Sequence, residues 1–591
     1  MTMPPKLIVS QNVINRLADV KEPCTGSLYG ILYKNTLSII ALSIHYEEKS
    51  DTLCSFPIGI DTYGIIQVGD GVIDQDKVKY ATKDIDVTDT PLYMLCTPGI
   101  ASNTIQTYFI VNNKLETTKY EIMTLQDIYS QFVHIRLLTQ LQFVSDVLIN
   151  SIKEGFTHLR RQLVNGQMVF NFSKTNIYIM GNECENNSVG FSGNPTVGEI
   201  CNKLMDIGEG CPPYDKKKKS LTVEMDILQI NMFKKMTRDI GLDSFKRHAP
   251  ILYIDKHPSQ TLMLTLNVDA MSIVHREEKV VNLYSVLIES CSRYLRLLEG
   301  IIVSNVQFCK GDYSLLSQPE TYHFFPENCG HFVTKTYSKN QTDESLETAR
   351  RILHKEFLLP LNLPLFRRAN RFIFSEDTRS SGLLLNPHIG LHPPKTEGEV
   401  ALIKGKYAYY HYCQNNMDDN GWGCAYRSLQ TLASWFRIQG FTEREVPTFE
   451  DIQKCLVDIG DKPFNFIGSK QWIGSTEVNF VLDTLLNISS KIIYVSSGED
   501  MASKGPELLY HFNNHGSPVM IGGGVLAHTI LGIDYNHLTG DIKFLILDPH
   551  YTGSEDLDII QKKGWCGWKP LKFWNKMAYY NMCLPQVPTC I

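Results

Sequence analysis

Cys424 lies in the run DDNGWGCAYRSLQTLASWF, Asp418 to Phe436, just ahead of apolar residues at Leu429, Leu432, Ala433 and Phe436. That i, i+3, i+4, i+7 spacing predicts an amphipathic helix with the cysteine at or near its start. Gly421 and Gly423 permit a tight loop feeding the helix. Unpaired backbone N–H groups and the positive end of the helix dipole favour a thiolate there, which is what a nucleophilic cysteine needs. The ordinary alternative is a buried structural cysteine, since the chain has fifteen. A thiolate nucleophile also needs a base, and the base an orienting group. DIKFLILDPHYTG, Asp541 to Gly553, offers both. Lys543 to Leu547 predicts a buried strand running into Asp548-Pro549-His550. If the chain stays extended, residues two apart share a side, with Cα atoms about 6–7 Å apart. Pro549 stiffens that arrangement by fixing its own φ and pushing Asp548 toward β. Taken alone, the triplet reads equally as an Asp-Pro turn before a surface histidine. Together with Cys424 it reads as a triad. The separation of 550 − 424 = 126 residues is close to the cysteine-to-histidine spacing of papain-like enzymes. The order Cys, Asp, His differs from theirs, but roles define a triad and order does not.

Two other histidines compete for the role of base. His528, in GGGVLAHTILGID, falls on a strand expected to pair with the one leading to Asp548 through the turn Asn536 to Gly540. It has no acid at matching spacing and reads as a satisfied core histidine. His411, in the aromatic cluster of Tyr407, Tyr409, Tyr410 and Tyr412, likewise has no evident orienting partner. Gly522 to Gly524 let another backbone pass close, as beside a cleft that receives an extended peptide. The Cys424 N–H can serve as one oxyanion donor. For a second, Tyr412 and Gln414 are both candidates, and the residues alone leave that choice open.

The elements that must position these groups sit in an ordinary globular composition. At 591 residues and 43% hydrophobic the chain supports two to four domains, and a net charge of −6 gives no global attraction to nucleic acid or anionic membrane. Scattered cysteines without CxxC or Cys/His clusters argue against zinc-ligand spacing and suggest a reducing compartment. MTMPPKLIVSQNV is not a convincing signal peptide, and no apolar run approaches 18 residues, so a cytosolic protein is expected. Residues 26 to 68 read as short antiparallel strands. Ile128, Phe132, Ile135, Leu138, Leu141 and Val144 predict a helix over Asp127 to Glu154, and another is predicted around Leu283 to Leu298. Between them, Asn182 to Asp226 reads as a less ordered stretch, with Lys216 to Lys219 on a surface loop. The Gly/Pro/Ser-rich stretch Ser375 to Val400 places a domain boundary inside it, giving 1–385 and 386–591.

DDNGWGCAYRSLQT, GGGVLAHTILGID, LILDPHYTG and the tail GWCGWKP…FWNK…YYN…CLP closely resemble the longer, second type of ubiquitin-fold modifier-specific protease. The match is dense over about residues 400 to 591 and looser before. The resemblance implies an α/β (α+β) chain, with a papain-like cysteine protease domain at the C-terminus. A β-rich mixed N-terminal domain reminiscent of an MPN fold without metal would precede it. It implies cleavage after the modifier's C-terminal glycine, both maturing the precursor and releasing it from conjugated lysines. Carried onto this sequence, Cys424 is the nucleophile, His550 the base, Asp548 the orienting acid, and Tyr412 the oxyanion-hole tyrosine. No metal or organic cofactor is implied, and no His-x-His occurs anywhere in the chain. The N-terminal domain would recognise substrate and dock to a membrane-anchored adaptor at the endoplasmic reticulum, with no nucleic-acid partner. Two rivals remain at this level. An autophagy-type cysteine protease shares a GWGC-like site and a DPH motif, and a non-catalytic scaffold could keep the fold.

Overall fold

A computed structural model describes residues 4–18, 20–46, 54–73, 75–99, 102–181, 188–191, 193–208, 225–234, 261–309, 319–339, 341–374, 383–393 and 398–591. The chain forms two compact units, Met1–Pro360 and Leu361–Ile591. Composition placed the boundary at 385/386, inside a stretch whose residues 375–382 and 394–397 lie outside the described residues. Lys216 to Lys219 also lie outside them.

The first unit carries an eight-stranded, a six-stranded and a three-stranded sheet among its described residues. Cys24–Tyr33 pairs antiparallel with both Thr36–Ile44 and Asp61–Val68, as the alternation over residues 26 to 68 predicts. The helix expected over Asp127 to Glu154 is not there. A capping box at Thr124 and Asp127 starts a short helix, Leu125–Gln131. The strand Phe132–Asp146 follows, pairing along its whole length with Thr261–His275. A second helix then occupies Ile149–Val164. The three- and four-residue spacing misled because the strand is apolar on both faces at its start. Val133, Ile135 and Leu137 enter one core, and Phe132 enters another with Ile128. A near-continuous apolar run contains a helical subset by default. The stretch read as less ordered also contains a helix, Val197–Gly208, whose Val197, Ile200 and Cys201 are buried. The helix expected near Leu283 to Leu298 is present and longer, Leu283–Phe308, because Ile302 and Val306 continue the buried stripe.

The second unit is a sheet faced by helices. Its strands are β1 (Glu399–Leu402), β2 (Ser490–Val495), β3 (Val519–Gly523), β4 (Leu526–Tyr535), β5 (Ile542–Leu547), β6 (Cys566–Pro570) and β7 (Tyr580–Pro585). They run in the order β2–β7–β3–β4–β5–β6, with β1 also paired to β4, and every pairing is antiparallel. Helix α1 (Cys424–Ile438) packs on the sheet, with every residue from Ala425 to Phe436 buried. Leu429, Leu432, Ala433 and Phe436 supply the predicted stripe, in one core with Leu531 and Leu545 of the sheet. Helix α2 (Phe449–Asp458) and α3 (Ser475–Leu486) complete that layer. On the opposite core, α4 (Gly505–Asn514) sets Leu508 and Phe512 against Ile530 and Phe544. The short α5 (Leu557–Lys562) follows the Asp548-to-His550 segment, with Asp556 as its side-chain cap. A central helix crossing an antiparallel sheet aims its first residue at the sheet's middle strands, and that first residue is Cys424.

Candidate active site

Gly423 caps α1 and Cys424 is its first residue, so the Cys424 N–H has no acceptor within the helix. The preceding loop is fixed by Asp419, which is fully buried. Its backbone carbonyl accepts the N–H groups of Trp422 and Gly423, its Oδ1 accepts the Cys413 N–H at 2.8 Å, and its Oδ2 accepts the Arg427 Nε–H at 2.8 Å. Gly421 turns the chain at φ +83°. Gly423 serves by closeness, since a Cβ there would lie 2.4 Å from Asp419 Oδ2. Asp419 and Arg427 thus hold the loop that carries Cys424, a role that spacing did not reveal because the two look like ordinary loop and helix charges.

Strand β5 delivers Asp548 and His550, but not in the extended form anticipated. Pro549 and His550 form a turn in which Asp548 Oδ1 accepts both the His550 backbone N–H at 3.0 Å and its ring Nδ1–H at 2.5 Å. An Asx-type turn achieves what two-residue alternation was expected to do. The turn is strapped on several sides. The Asp548 N–H donates to the Trp565 carbonyl, the Tyr409 hydroxyl donates to the Asp548 carbonyl, and the Tyr412 N–H donates to the Pro549 carbonyl. With Nδ1 spent on Asp548, His550 Nε2 is buried without a hydrogen bond of ordinary geometry, and it faces the Cys424 sulfur. Catalytic hydrogen bonds are often this loose before substrate arrives.

The electrostatics agree with the geometry. Burial alone would raise the Cys424 thiol, but His550, the Ala527 backbone N–H and Tyr412 together bring it below its ordinary value. Burial alone would lower His550, yet Asp548 and the Cys424 sulfur raise it to about 9. Asp548 is held below the usual carboxylate range, because His550 and the neighbouring His528 outweigh the cost of its burial. The arrangement therefore favours a thiolate–imidazolium pair. Tyr412, 3% exposed, meets the His550 ring edge-on at 5.3 Å. Burial and then the Cys424 charge push its phenol upward, so it stays a proton donor beside the sulfur.

Gln414 is removed from the choice of oxyanion donor. Its Oε1 accepts the His411 N–H and its Nε2 donates to the Tyr409 carbonyl and to Glu555. Both competing histidines do have acids, contrary to the sequence expectation. His411 Nε2 lies 2.9 Å from Glu555, and His528 Nε2 lies 3.8 Å from Asp548 Oδ2. Glu555 lies 144 residues along the chain, and Asp548 meets His528 only across the β4–β5 pairing, so spacing within one segment finds neither. His528 sits on β4 paired with β5, as read from the turn, and burial lowers it to about 4, so it stays neutral at physiological pH. Among the described residues, His528, Asp548 and His550 are the one grouping whose possible ligand atoms all lie within 4.8 Å. The Nδ1–H to Oδ1 bond already uses the His550 nitrogen a cation would take.

A groove of about 660 Å³ opens from Cys424, lined by Trp422, Ser475, Met520 and Gly522 to Ala527. Gly522 to Gly524 thus border a cleft, as expected. A Cβ at Gly523 would strike the Tyr579 carbonyl at 2.3 Å, and Gly524 turns the β3–β4 hairpin at φ +69°. The groove's rim is apolar and open, with Met577 90% and Val525 67% exposed. The site can therefore hold an extended chain beside Cys424, with the His550 ring and Tyr412 against the sulfur.

Three family models match the chain. Residues 398–583 match the family model of Peptidase family C78. Residues 3–128 match that of the insect UFM1-specific protease N-terminal MPN-like domain, and residues 153–379 that of the N-terminal part of ubiquitin-fold modifier 1 specific protease 2. The probable Ufm1-specific protease 2 of Drosophila melanogaster is 38% identical over 99% of this chain and 100% of its own length. The Ufm1-specific protease 2 of Homo sapiens is 42% identical over 75% of this chain and 94% of its own length. The crystal structure of UfSP from C. elegans superposes with a TM-score of 0.65 at 24% identity, covering 99% of this chain and 100% of that one.

Proposed function

The chain belongs to the Ufm1-specific protease 2 family of C78 cysteine peptidases, and from that premise we propose that it cleaves after the C-terminal glycine of Ufm1. The same cut matures the precursor and frees the modifier from conjugated lysines. The observation that carries the reading is the alignment of Cys424, the first residue of its helix, with a histidine whose other nitrogen is bonded to Asp548 at 2.5 Å. The Cys424 thiolate attacks the glycyl carbonyl carbon, and charge gathers on its oxygen. The Tyr412 O–H and the Cys424 N–H stabilise that oxyanion. His550 then gives its proton to the leaving amine, and a thioester to Cys424 remains. Water, deprotonated by His550, attacks the thioester and returns the thiolate. A groove bordered by Gly522 to Gly524 suits a tail whose last residue has no side chain. Cys424→Ser is expected to abolish precursor cleavage while leaving Ufm1 affinity within about twofold, since groove contacts and not the sulfur supply ground-state binding. Cleavage at the wild-type rate by that variant would refute the assignment.

The N-terminal unit is proposed to recognise substrate and to dock to a membrane-anchored adaptor, bringing a cytoplasmic enzyme to the endoplasmic reticulum surface. The family resemblance supports this. Among the described residues no helix is long and apolar enough to cross a membrane. Full-length protein should co-sediment with microsomes and lose that binding when their surface proteins are digested. Equal binding to protein-free vesicles of the same lipids would contradict an adaptor.

A further inference from the structure

Tyr412 lies in a segment whose backbone needs outside support. Cys413, Asn415 and Asn416 all have φ between +56° and +63°. Non-glycine residues hold that conformation at a cost, and persist in it where their surroundings over-determine them. Glu555 provides such a surrounding from the far side of the Asp548-to-His550 turn. One carboxylate oxygen, Oε1, receives Nε2 of His411 at 2.9 Å and Nε2 of Gln414 at 2.6 Å, the residues one before and two after Tyr412. The other, Oε2, receives the Leu384 N–H at 3.2 Å. Glu555 itself is anchored, because the next residue, Asp556, caps α5 through its side chain. His411 is also gripped by stacking, edge-on to Tyr551 at 5.0 Å, and its Nδ1 lies 3.0 Å from the Tyr412 carbonyl oxygen. Together with the Tyr412 N–H to Pro549 bond, the tyrosine-bearing segment is tied to residues on both sides of His550. Burial would raise the Glu555 carboxyl, and the bonds from His411 and Gln414 lower it instead, so it is ionised and accepts all three donors.

We propose that Glu555 is a positioning residue that aims the Tyr412 hydroxyl at the oxyanion by clamping His411 and Gln414 on either side of it. This rests on Tyr412 being an oxyanion donor. The clamp acts on the donor and leaves the Cys424–His550 pair to Asp548. Its loss should therefore slow acyl transfer far more than reactions that need the thiolate alone, which His550 chiefly sustains. In full-length protein, Glu555→Ala is expected to lower kcat for modifier-precursor cleavage about tenfold, with KM within about twofold, because misaiming a catalytic group acts on the transition state. Alkylation of Cys424 by iodoacetamide, which makes no oxyanion, should slow far less than cleavage, with its pH profile moved at most slightly toward an ordinary thiol because Tyr412 is the last and smallest of the groups that lower the sulfur. Tyr412→Phe should lose about 10²-fold in kcat, and Glu555→Ala should cost nothing further in that background. Glu555→Gln, which keeps Oε1 for His411 and Gln414, should recover most of the loss. If Glu555→Ala does not yield folded protein, His411→Asn is read in its place, since the shorter side chain loses reach to Glu555. A wild-type kcat in Glu555→Ala, a loss fully additive with Tyr412→Phe, or alkylation slowed in parallel would overturn the clamp. A wild-type kcat in Tyr412→Phe would instead overturn the donor role on which the clamp depends.

Discussion

At the scale of the residue, the account turns on two shifted titrations that point in opposite directions. Cys424 is lowered and His550 is raised to about 9, so the charged pair is favoured over the neutral one. Cleavage should hold up through mild alkali and fall as pH rises through about 9, where the imidazolium loses the proton it must give the leaving amine. Alkylation of Cys424 should persist below the range of an ordinary thiol and should not fall in alkali, since it needs only the thiolate. Asp548→Asn should move that alkylation profile up toward an ordinary thiol; an unmoved profile would contradict the pairing. Folding stability follows the same shifts. The contribution of a raised His550 is fully present below the ordinary histidine value near 6.5 and is lost as pH rises through about 9. That of a lowered Asp548 is present above the ordinary carboxylate value and is lost as pH falls through its depressed one. The meeting of Cys424, Asp548 and His550 could be anticipated because each lies in a short segment with a helix stripe or a strand beside it. The roles of Asp419 and Glu555 could not, because their partners Arg427, His411 and Gln414 are brought to them only by folding. The resemblance implied Tyr412 as oxyanion donor, and the alternative, Gln414, has its side chain occupied by other hydrogen bonds.

At the scale of the element, the site depends on how α1 is entered. Asp419 and Arg427 are 0% and 1% exposed and bond each other inside the core, and Arg427 also lies over the Phe449 ring at 4.8 Å. Arg427 Nη2 donates to the Gln414 carbonyl, so one guanidinium joins the helix, the loop and the tyrosine segment. Removing one partner strands a buried charge, and Asp419→Ala is expected to destabilise the catalytic unit by about 3–5 kcal/mol. Thermal or urea unfolding reads this directly, and an unchanged midpoint would show that the pair is dispensable. The Phe132–Asp146 strand gives the contrary lesson about legibility. Its apolar residues at three- and four-residue spacing were real, but so were Val133, Leu137 and Phe143 between them, and long-range pairing with Thr261–His275 decides the outcome. Where a segment is apolar on two faces, period alone does not separate helix from strand.

At the scale of the whole molecule, the catalytic unit's architecture could be anticipated because its motifs mark the entry of α1 and the exit of β5, the two ends a cysteine peptidase must bring together. The N-terminal unit could not be read as closely. Its sheets are assembled from strands distant in sequence, and two of its segments changed type between expectation and structure. Its relatives differ in how much of the chain they share, since the fly protein matches 99% of this chain and the human protein 75%. The chain has fifteen cysteines, and several, including Cys566 and Cys583, are deeply buried and raised to about 12 by that burial, which makes them poor nucleophiles. A reagent that reads nucleophilicity in the folded state can therefore distinguish among them. Full-length protein treated with Ufm1 carrying an electrophile at its C-terminal glycine should take up one modifier, on Cys424, with the reaction lost in His550→Ala. Labelling at another cysteine, or none in folded protein, would contradict the account.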